Sequence, residues 1–141
     1  MSRLQLALNV SNLHESIAFY TKLFGVEPAK VKPGYANFAI AEPPLKLVLM
    51  ENSEPGGTIN HLGVEVENTE EVERWEEKLA VREMNPKAQK ENTCCYAKQD
   101  KFWVADPDLA PWEIYTVLAD SASFGENSRP DLTASHSNCC S

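Results

Sequence analysis

Positive charge is scarce in this 141-residue sequence, which has 13 lysine and arginine residues against 21 aspartate and glutamate residues. The formal net charge of −8 has the wrong sign for a surface that follows phosphate groups, so we expect no nucleic-acid partner. Long apolar runs are lacking as well. No segment approaches the roughly 20 apolar residues that a membrane span needs, and no basic segment with an apolar secretory core opens the sequence. The sequence therefore predicts a soluble, cytoplasmic protein without a membrane partner.

Cysteine is also sparse, and its placement excludes a disulfide framework. The four cysteines form two adjacent pairs, Cys94-Cys95 and Cys139-Cys140. Neighbouring residues do not close a stabilising loop, so we expect no structural disulfides. In a reducing cytosol these thiols are available to bind a soft metal or metalloid.

The hydrophobic pattern divides the chain into two similar halves. In the first, residues 4–10 alternate as a half-buried strand does, with Gln5 pointing away from the apolar side. Residues 13–25 have helical spacing and end at a glycine, and residues 35–41 and 45–50 are typical of a hairpin. The first half is therefore predicted as β-α-β-β, with room for another short strand.

The second half repeats this order. Residues 59–67 predict a strand on which His61 lies opposite the apolar face, and Thr69 with the acidic residues after it predicts a capped helix start. Residues 95–104 and 112–118 predict two further strands.

These halves predict an α+β fold of paired β-α-β-β-β modules that form a curled sheet around a metal-binding cavity. We expect the first module at residues 1–53 and the second at residues 58–118. Residues 119–141 are rich in serine, asparagine and aspartate and predict a flexible tail that carries one cysteine pair.

Corresponding positions of the two modules would approach one another in such a concavity. Gln5 and His61 each hold the same place on the first strand of a module, and Glu113 opens the last strand. An amide oxygen, an imidazole and a carboxylate can hold a divalent metal and leave positions open for substrate or dioxygen. His61 as a hydrogen-bonded structural residue and Glu113 as an exposed carboxylate are the alternatives. Lys46 occupies the position that matches Glu113, which argues against a fourth protein ligand.

The adjacent thiols Cys94 and Cys95 suit a particular chemistry. Trivalent arsenic is thiophilic, and an arsenic centre that already holds one carbon group has two positions left for thiolates. Neighbouring residues of a regular strand point to opposite faces, so we predict that this pair lies on a loop or bulge. Two small buried residues are the alternative interpretation. For Cys139 and Cys140, capture of an arsenical and a dispensable tail both stay open.

Several segments resemble the vicinal oxygen chelate superfamily, which includes glyoxalase I, extradiol dioxygenases and bleomycin resistance proteins. Within it, the chain resembles the organoarsenical C–As lyases and the cadmium-induced proteins. The most specific segment is the Thr-Cys-Cys-Tyr-Ala run at residues 93–97, followed by Gln-Asp-Lys at residues 99–101. The other matching segments are residues 16–20, 23–25, 35–38, 61–64 and 112–115.

This resemblance implies cleavage of the carbon–arsenic bond of trivalent organoarsenicals with non-haem Fe(II) and dioxygen, releasing arsenite. His61 and Glu113 match the family's metal ligands, and Cys94 and Cys95 match its arsenic-binding thiols. Gln5 is a departure, because many members have histidine there, although glyoxalases also use glutamine as a ligand.

Tyr96 and Tyr115 are the candidate catalytic residues, which would hydrogen-bond an oxygen intermediate, with core packing as the alternative. Three other functions stay open at this point. They are a glyoxalase-like metalloenzyme, a thiol-based module that sequesters a thiophilic metal such as cadmium, and a drug-sequestering protein without a metal. The sequence also leaves open whether the chain forms a homodimer.

Overall fold

The computed structural model describes the backbone of residues 2–94 and 97–120, and the side chains of residues 2–88 and 99–118. In chain order its elements are β1 (Arg3–Val10), α1 (Leu13–Phe24), β2 (Lys30–Lys32), β3 (Tyr35–Ile40), β4 (Leu45–Glu51), β5 (Ile59–Glu65), α2 (Thr69–Val81), β6 (Lys87–Cys94), β7 (Ala97–Ala105) and β8 (Pro111–Asp120). The β-α-β-β-β order thus occurs twice, and the predicted α+β class of paired modules is confirmed.

The described chain forms two compact units, with the boundary inside β5. We call residues 3–62 the N-terminal unit and the chain from residue 63 onward, with Ser2, the C-terminal unit. The module limits given by the sequence, at residues 53 and 58, remain predictions.

In the N-terminal unit the strand order is β2-β3-β4-β1, with β1 parallel to β4 and the other pairs antiparallel. One face of this sheet packs against α1 through an apolar cluster. The buried members of that cluster are Val10, Phe38, Ile40, Leu47 and Leu49. Because side chains alternate along each strand, the residues between these point to the opposite face.

Helix α1 has the end signals that the sequence predicts. The Asn12 side chain caps its start by accepting a hydrogen bond of 2.9 Å from the backbone N–H of Glu15. Gly25 ends it in the left-handed conformation, at a φ of 69°.

In the C-terminal unit, β8, β7 and β6 are neighbours in that order and pair antiparallel. One face of this sheet packs against α2. The buried residues of that contact are Val66, Val72, Leu79, Phe102, Val104 and Ile114.

Two local predictions for this half differ from the structure. The cap of α2 is Asn68, whose side chain accepts from the backbone N–H of Glu71 at 2.9 Å, whereas Thr69 is the first helical residue. The residue pattern does not locate strand β6, because the polar run Lys87–Cys94 has no apolar alternation to reveal it. Neither described helix is long and apolar enough to cross a membrane.

Candidate metal and substrate site

The N-terminal unit has a buried polar face on the side of its sheet away from α1. The strand register places Gln5 directly beside Lys46 in the parallel pair of β1 and β4. Gln5 is 3% exposed and Lys46 is 9% exposed. Asn9 and Asn37 share this face and are buried too. Val48 and Met50 are buried on the same face, so it combines apolar packing with polar side chains that need hydrogen-bond partners.

His61 lies on β5 and is 2% exposed. Its Nδ1 atom lies 2.7 Å from Oδ1 of Asn60. The amide nitrogen of Asn60 in turn donates to Oδ1 of Asn9 at 3.0 Å. Imidazole rings that bind metals commonly have their second nitrogen oriented by a neighbouring oxygen in this manner.

The C-terminal unit also has a buried polar face opposite its helix. Glu113, 3% exposed, accepts a hydrogen bond of 2.8 Å at Oε2 from Nζ of Lys101. Lys101 lies on β7, where the register pairs it with Tyr115 and pairs Trp103 with Glu113. Its ammonium group lies 5.4 Å from the ring centre of Trp103 and 6.0 Å from that of Tyr115. A buried cation is thus held between a carboxylate and two aromatic faces.

The opposite charges of Lys101 and Glu113 compensate each other in the buried ion pair. Neither side chain has appreciable contact with water, since their exposures are 0% and 4%. Removal of one partner would leave an uncompensated buried charge, a costly arrangement. The pair engages Oε2 of Glu113, and a carboxylate can serve a cation at each of its two oxygens.

One buried acceptor on this face has no hydrogen bond within the described part of the chain. It is Oε1 of Gln99, which lies on β7 two residues before Lys101. An acceptor left without a donor in a buried place costs free energy, so a ligand that donates there would be favoured.

The three predicted metal ligands are all buried, and they belong to different units. Gln5 and His61 lie in the N-terminal unit, and Glu113 lies in the C-terminal unit. An amide oxygen, an imidazole nitrogen and a carboxylate are an acceptable donor set for a divalent first-row metal, so the residues fit such an ion chemically. Among the described residues, no three histidine, cysteine, aspartate or glutamate side chains group as a metal site. The predicted set contains only two residues of those types.

Of the predicted arsenic ligands Cys94 and Cys95, the structure describes only the backbone of Cys94. Cys94 is the last residue of β6 and pairs with Ala97, so it belongs to a strand end rather than to a loop. Cys95 and Tyr96 lie outside the described residues, as do Cys139 and Cys140. The pairing of two thiols on one arsenic therefore stays a prediction. Tyr115 is fully buried on the same face as Glu113.

Sequence reasoning gave no role to Lys101, Asn9 and Asn60. A signal for Lys101 was present, because Phe102 and Val104 pack toward α2 and alternation therefore turns Lys101 to the face of Glu113. The hydrogen bond from Asn60 to Asn9 had no such signal, since it joins side chains 51 positions apart in the sequence.

An apolar groove of about 680 Å³ lies on the other side of the C-terminal sheet, against α2. Trp75, Leu79, Met84 and Trp112 contribute to its lining, and Asp106 is its one charged residue among those described. The groove therefore lacks the donors and acid–base groups of the polar face.

The chain is similar to several known proteins. The family model described as the Glyoxalase/Bleomycin resistance protein/Dioxygenase superfamily matches residues 3–114. The cadmium-induced protein CadI of Mycobacterium tuberculosis is 54% identical over 142 residues, covering 99% of this chain and 93% of that protein. The trivalent organoarsenical cleaving enzyme of Thermomonospora curvata is 49% identical over 141 residues, covering 99% and 89%.

Solved structures share the fold at lower identity. An extradiol ring-cleaving dioxygenase from B. fuscum matches with a TM-score of 0.62 and 20% identity, over 84% of this chain and 33% of that one. The Mn(II)-bound glyoxalase from Novosphingobium aromaticivorans matches with a TM-score of 0.58 and 18% identity, over 90% and 44%.

Proposed function

Because this chain belongs to the Glyoxalase/Bleomycin resistance protein/Dioxygenase superfamily, we propose that it is an enzyme of the metal-dependent kind found there. Its reaction is cleavage of the carbon–arsenic bond of trivalent organoarsenicals, with release of arsenite. The observation that carries this proposal is the 49% identity, over 99% of the chain, to a trivalent organoarsenical cleaving enzyme. The buried polar face of each unit supports it, because it supplies the residue types that the reaction needs.

Gln5, His61 and Glu113 are the residues that would hold the metal, which we propose to be Fe(II). When bound, such an ion supplies a Lewis acid with open positions for dioxygen. All three side chains are buried, so bulk water has little access to the donor groups themselves. Lys101 holds Glu113 in one orientation through its 2.8 Å hydrogen bond, which limits the rotation of the carboxylate.

Cys94 and Cys95 would hold the arsenic through two thiolates. An arsenical held by these thiolates within reach of the metal would meet the oxidant inside one complex, which would give a large entropic advantage. Tyr115, and Tyr96 beside the cysteine pair, would donate hydrogen bonds to oxygen atoms of the reacting group.

The overall reaction balances without an external reductant when the organic group is methyl. One dioxygen and one hydrated methylarsenical give one formaldehyde and one arsenous acid. The carbon–arsenic bond breaks, the methyl carbon is oxidised, dioxygen is reduced and the arsenic stays trivalent. The proposal therefore requires that one dioxygen be consumed for each arsenite released.

The deciding experiment measures arsenite release and oxygen consumption by Fe(II)-loaded protein supplied with a trivalent methylarsenical. We expect release that depends on both metal and dioxygen, in a one-to-one ratio with oxygen. Glu113→Ala, assayed at a temperature where circular dichroism shows it to be folded, should lose metal binding and turnover but retain arsenical binding. Glu77→Gln on the exposed side of α2 should behave as the unaltered protein. Turnover by Glu113→Ala at the original rate would refute the metal ligand set.

The cysteines are tested by arsenical binding in the absence of metal. Cys94→Ser and Cys95→Ser should each lose binding, since one thiolate and one hydroxyl cannot replace two thiolates on arsenic. The same substitution at Cys139 and Cys140 is the matched comparison. Retained affinity in both Cys94→Ser and Cys95→Ser would exclude this pair as the arsenic ligands.

Sequestration of a thiophilic metal is the second candidate, favoured by the 54% identity to a cadmium-induced protein. It needs the cysteines but neither Fe(II) nor dioxygen. Tight binding of Cd(II) or of the arsenical without any release of arsenite would favour it over the lyase.

A further inference from the structure

A chain of hydrogen bonds runs through the N-terminal unit and ends at the His61 ring. Oγ1 of Thr58 donates to the carbonyl oxygen of Pro55 at 2.6 Å, and Nδ2 of Asn9 donates to Oγ1 of Thr58 at 3.0 Å. Nδ2 of Asn60 donates to Oδ1 of Asn9 at 3.0 Å. Oδ1 of Asn60 lies 2.7 Å from Nδ1 of His61.

The carbonyl group of Pro55 fixes the donor and the acceptor in every hydrogen bond of this series. The Pro55 carbonyl can only accept, so the single hydroxyl proton of Thr58 is committed to it. The Thr58 oxygen must then accept from Asn9, which requires the amide nitrogen of Asn9 on that side. The amide oxygen of Asn9 consequently faces Asn60.

A second, independent anchor requires the same orientation of Asn9. The backbone N–H of Glu54 can only donate, and it donates to Oδ1 of Asn52 at 3.0 Å. The Asn52 amide nitrogen therefore faces Asn9 and donates to its Oδ1 at 2.8 Å. The Pro55 carbonyl group and the Glu54 N–H group therefore both require the amide oxygen of Asn9 to face Asn60 and Asn52.

The orientation of Asn60 follows from that of Asn9. Its nitrogen donates to Asn9, so its oxygen is the atom that meets His61, and an oxygen at 2.7 Å can only accept. The proton of the neutral imidazole therefore lies on Nδ1. The lone pair lies on Nε2, the nitrogen turned away from Asn60.

We propose that Asn60 and Asn9 are positioning residues that fix the tautomer and orientation of His61, so that Nε2 is the atom that serves a divalent metal. The metal-binding half of this inference rests on the proposed function, whereas the tautomer does not. Outer residues that orient a ligating histidine commonly affect metal affinity by about 10- to 100-fold.

The tautomer is measured first, on the full-length metal-free protein with ¹⁵N-labelled histidine, at about pH 8 where an ordinary histidine is neutral. Long-range ¹H–¹⁵N spectra distinguish a proton on Nδ1 from one on Nε2. His14 and His136 are the only other histidines, and substitution of each identifies its signals. We expect the Nδ1–H form for His61; an Nε2–H form would overturn the proposal.

Variants at Asn60 separate positioning from mere packing. Asn60→Leu removes the acceptor at Nδ1 and should release the proton from that nitrogen. Asn60→Asp loses the donor to Oδ1 of Asn9 but keeps an acceptor at Nδ1, so it should preserve the Nδ1–H form. Asn37→Leu removes another buried amide of the same unit, which donates to Tyr35 and takes no part in the hydrogen bonds that lead to His61. This variant should therefore leave the tautomer of His61 unchanged. If Asn60→Leu fails to fold, Asn9→Leu is the substitute, because it removes the acceptor that orients the Asn60 amide.

Binding of Mn(II) is the second measurement, and it requires no turnover. Affinity should fall about 10- to 100-fold in Asn60→Leu and recover in Asn60→Asp. If His61 has the Nδ1–H tautomer but the protein binds no Mn(II), the proposed metal site is refuted, while the hydrogen bonds from Asn9 and Asn60 still explain the tautomer. Mn(II) binding that is unaffected in Asn60→Leu would refute the positioning role and retain the metal site.

Discussion

Replacement of Lys101 by methionine is the most informative single change in this protein. The substitution removes the ammonium group that donates to Glu113 at 2.8 Å and keeps a side chain of similar length between Trp103 and Tyr115. The apolar contacts of the position are largely retained, so the change isolates the charge. Glu113 is then left as a buried carboxylate without its cation.

The expected loss is large because both partners are almost completely buried, at 0% and 4% side-chain exposure. Breaking a buried ion pair by removing one member costs about 3–5 kcal/mol, whereas an exposed pair is worth about 1 kcal/mol or less. At about 3 °C per kcal/mol for a domain of this size, the metal-free variant should melt about 10 °C lower. Thermal and urea unfolding followed by circular dichroism measure this loss.

Metal should reverse much of the defect if Glu113 is a ligand. A divalent cation supplies at the carboxylate the positive charge that Lys101 no longer provides. Addition of Mn(II) should therefore raise the melting temperature of Lys101→Met by more than it raises that of the unaltered protein. An equal increase in the two proteins would refute the reasoning that places Glu113 at the metal.

Two controls define the origin of the effect. Lys78→Met removes another lysine that lies over a tryptophan ring, 5.7 Å from the centre of Trp75, but on the exposed side of α2. It should change stability by about 0.5 kcal/mol or less. The double variant Lys101→Met with Glu113→Leu removes both charges and should recover most of the lost stability, without an added response to Mn(II).

Three further predictions concern the N-terminal unit. Gln5→His replaces a neutral amide oxygen with an imidazole and should tighten Mn(II) binding, as measured by calorimetric titration; an unchanged affinity would exclude this position as a ligand. Leu49→Ala opens a cavity in the fully buried cluster against α1 and should cost about 2–5 kcal/mol in urea unfolding, with a loss below this range contradicting its core position. Asn12→Ala removes the cap of α1 and should cost about 1 kcal/mol, while Asn12→Asp keeps the acceptor and should cost little.

Short-range patterns in the sequence predict much of this fold. The alternation along β1 and β5 set which face of each strand carries Gln5 and His61, and the glycine at position 25 set the end of α1. These features depend on neighbours within a few residues, which is the range over which a periodic pattern acts. The β-α-β-β part of each module is recognisable in the sequence for the same reason.

Predictions failed where the sequence carries no local signal. Strand β6 is polar and gains its hydrogen bonds from β7, so its existence depends on a partner strand rather than on its own side chains. The cap of α2 was assigned one residue late, because Asn68 and Thr69 are both good capping residues. Only the backbone geometry chose between them.

The sequence by itself predicted a candidate set of residues for the chemistry: the amide of Gln5, the imidazole of His61, the carboxylate of Glu113 and the adjacent thiols of Cys94 and Cys95. Tertiary structure alone decided how the visible ones are held. The ion pair of Lys101 with Glu113 needs the register of β7 and β8, and the bond from Asn60 to Asn9 needs residues 51 positions apart to meet. Hydrogen bonds act over about 3 Å, so only folding brings such groups within range of each other.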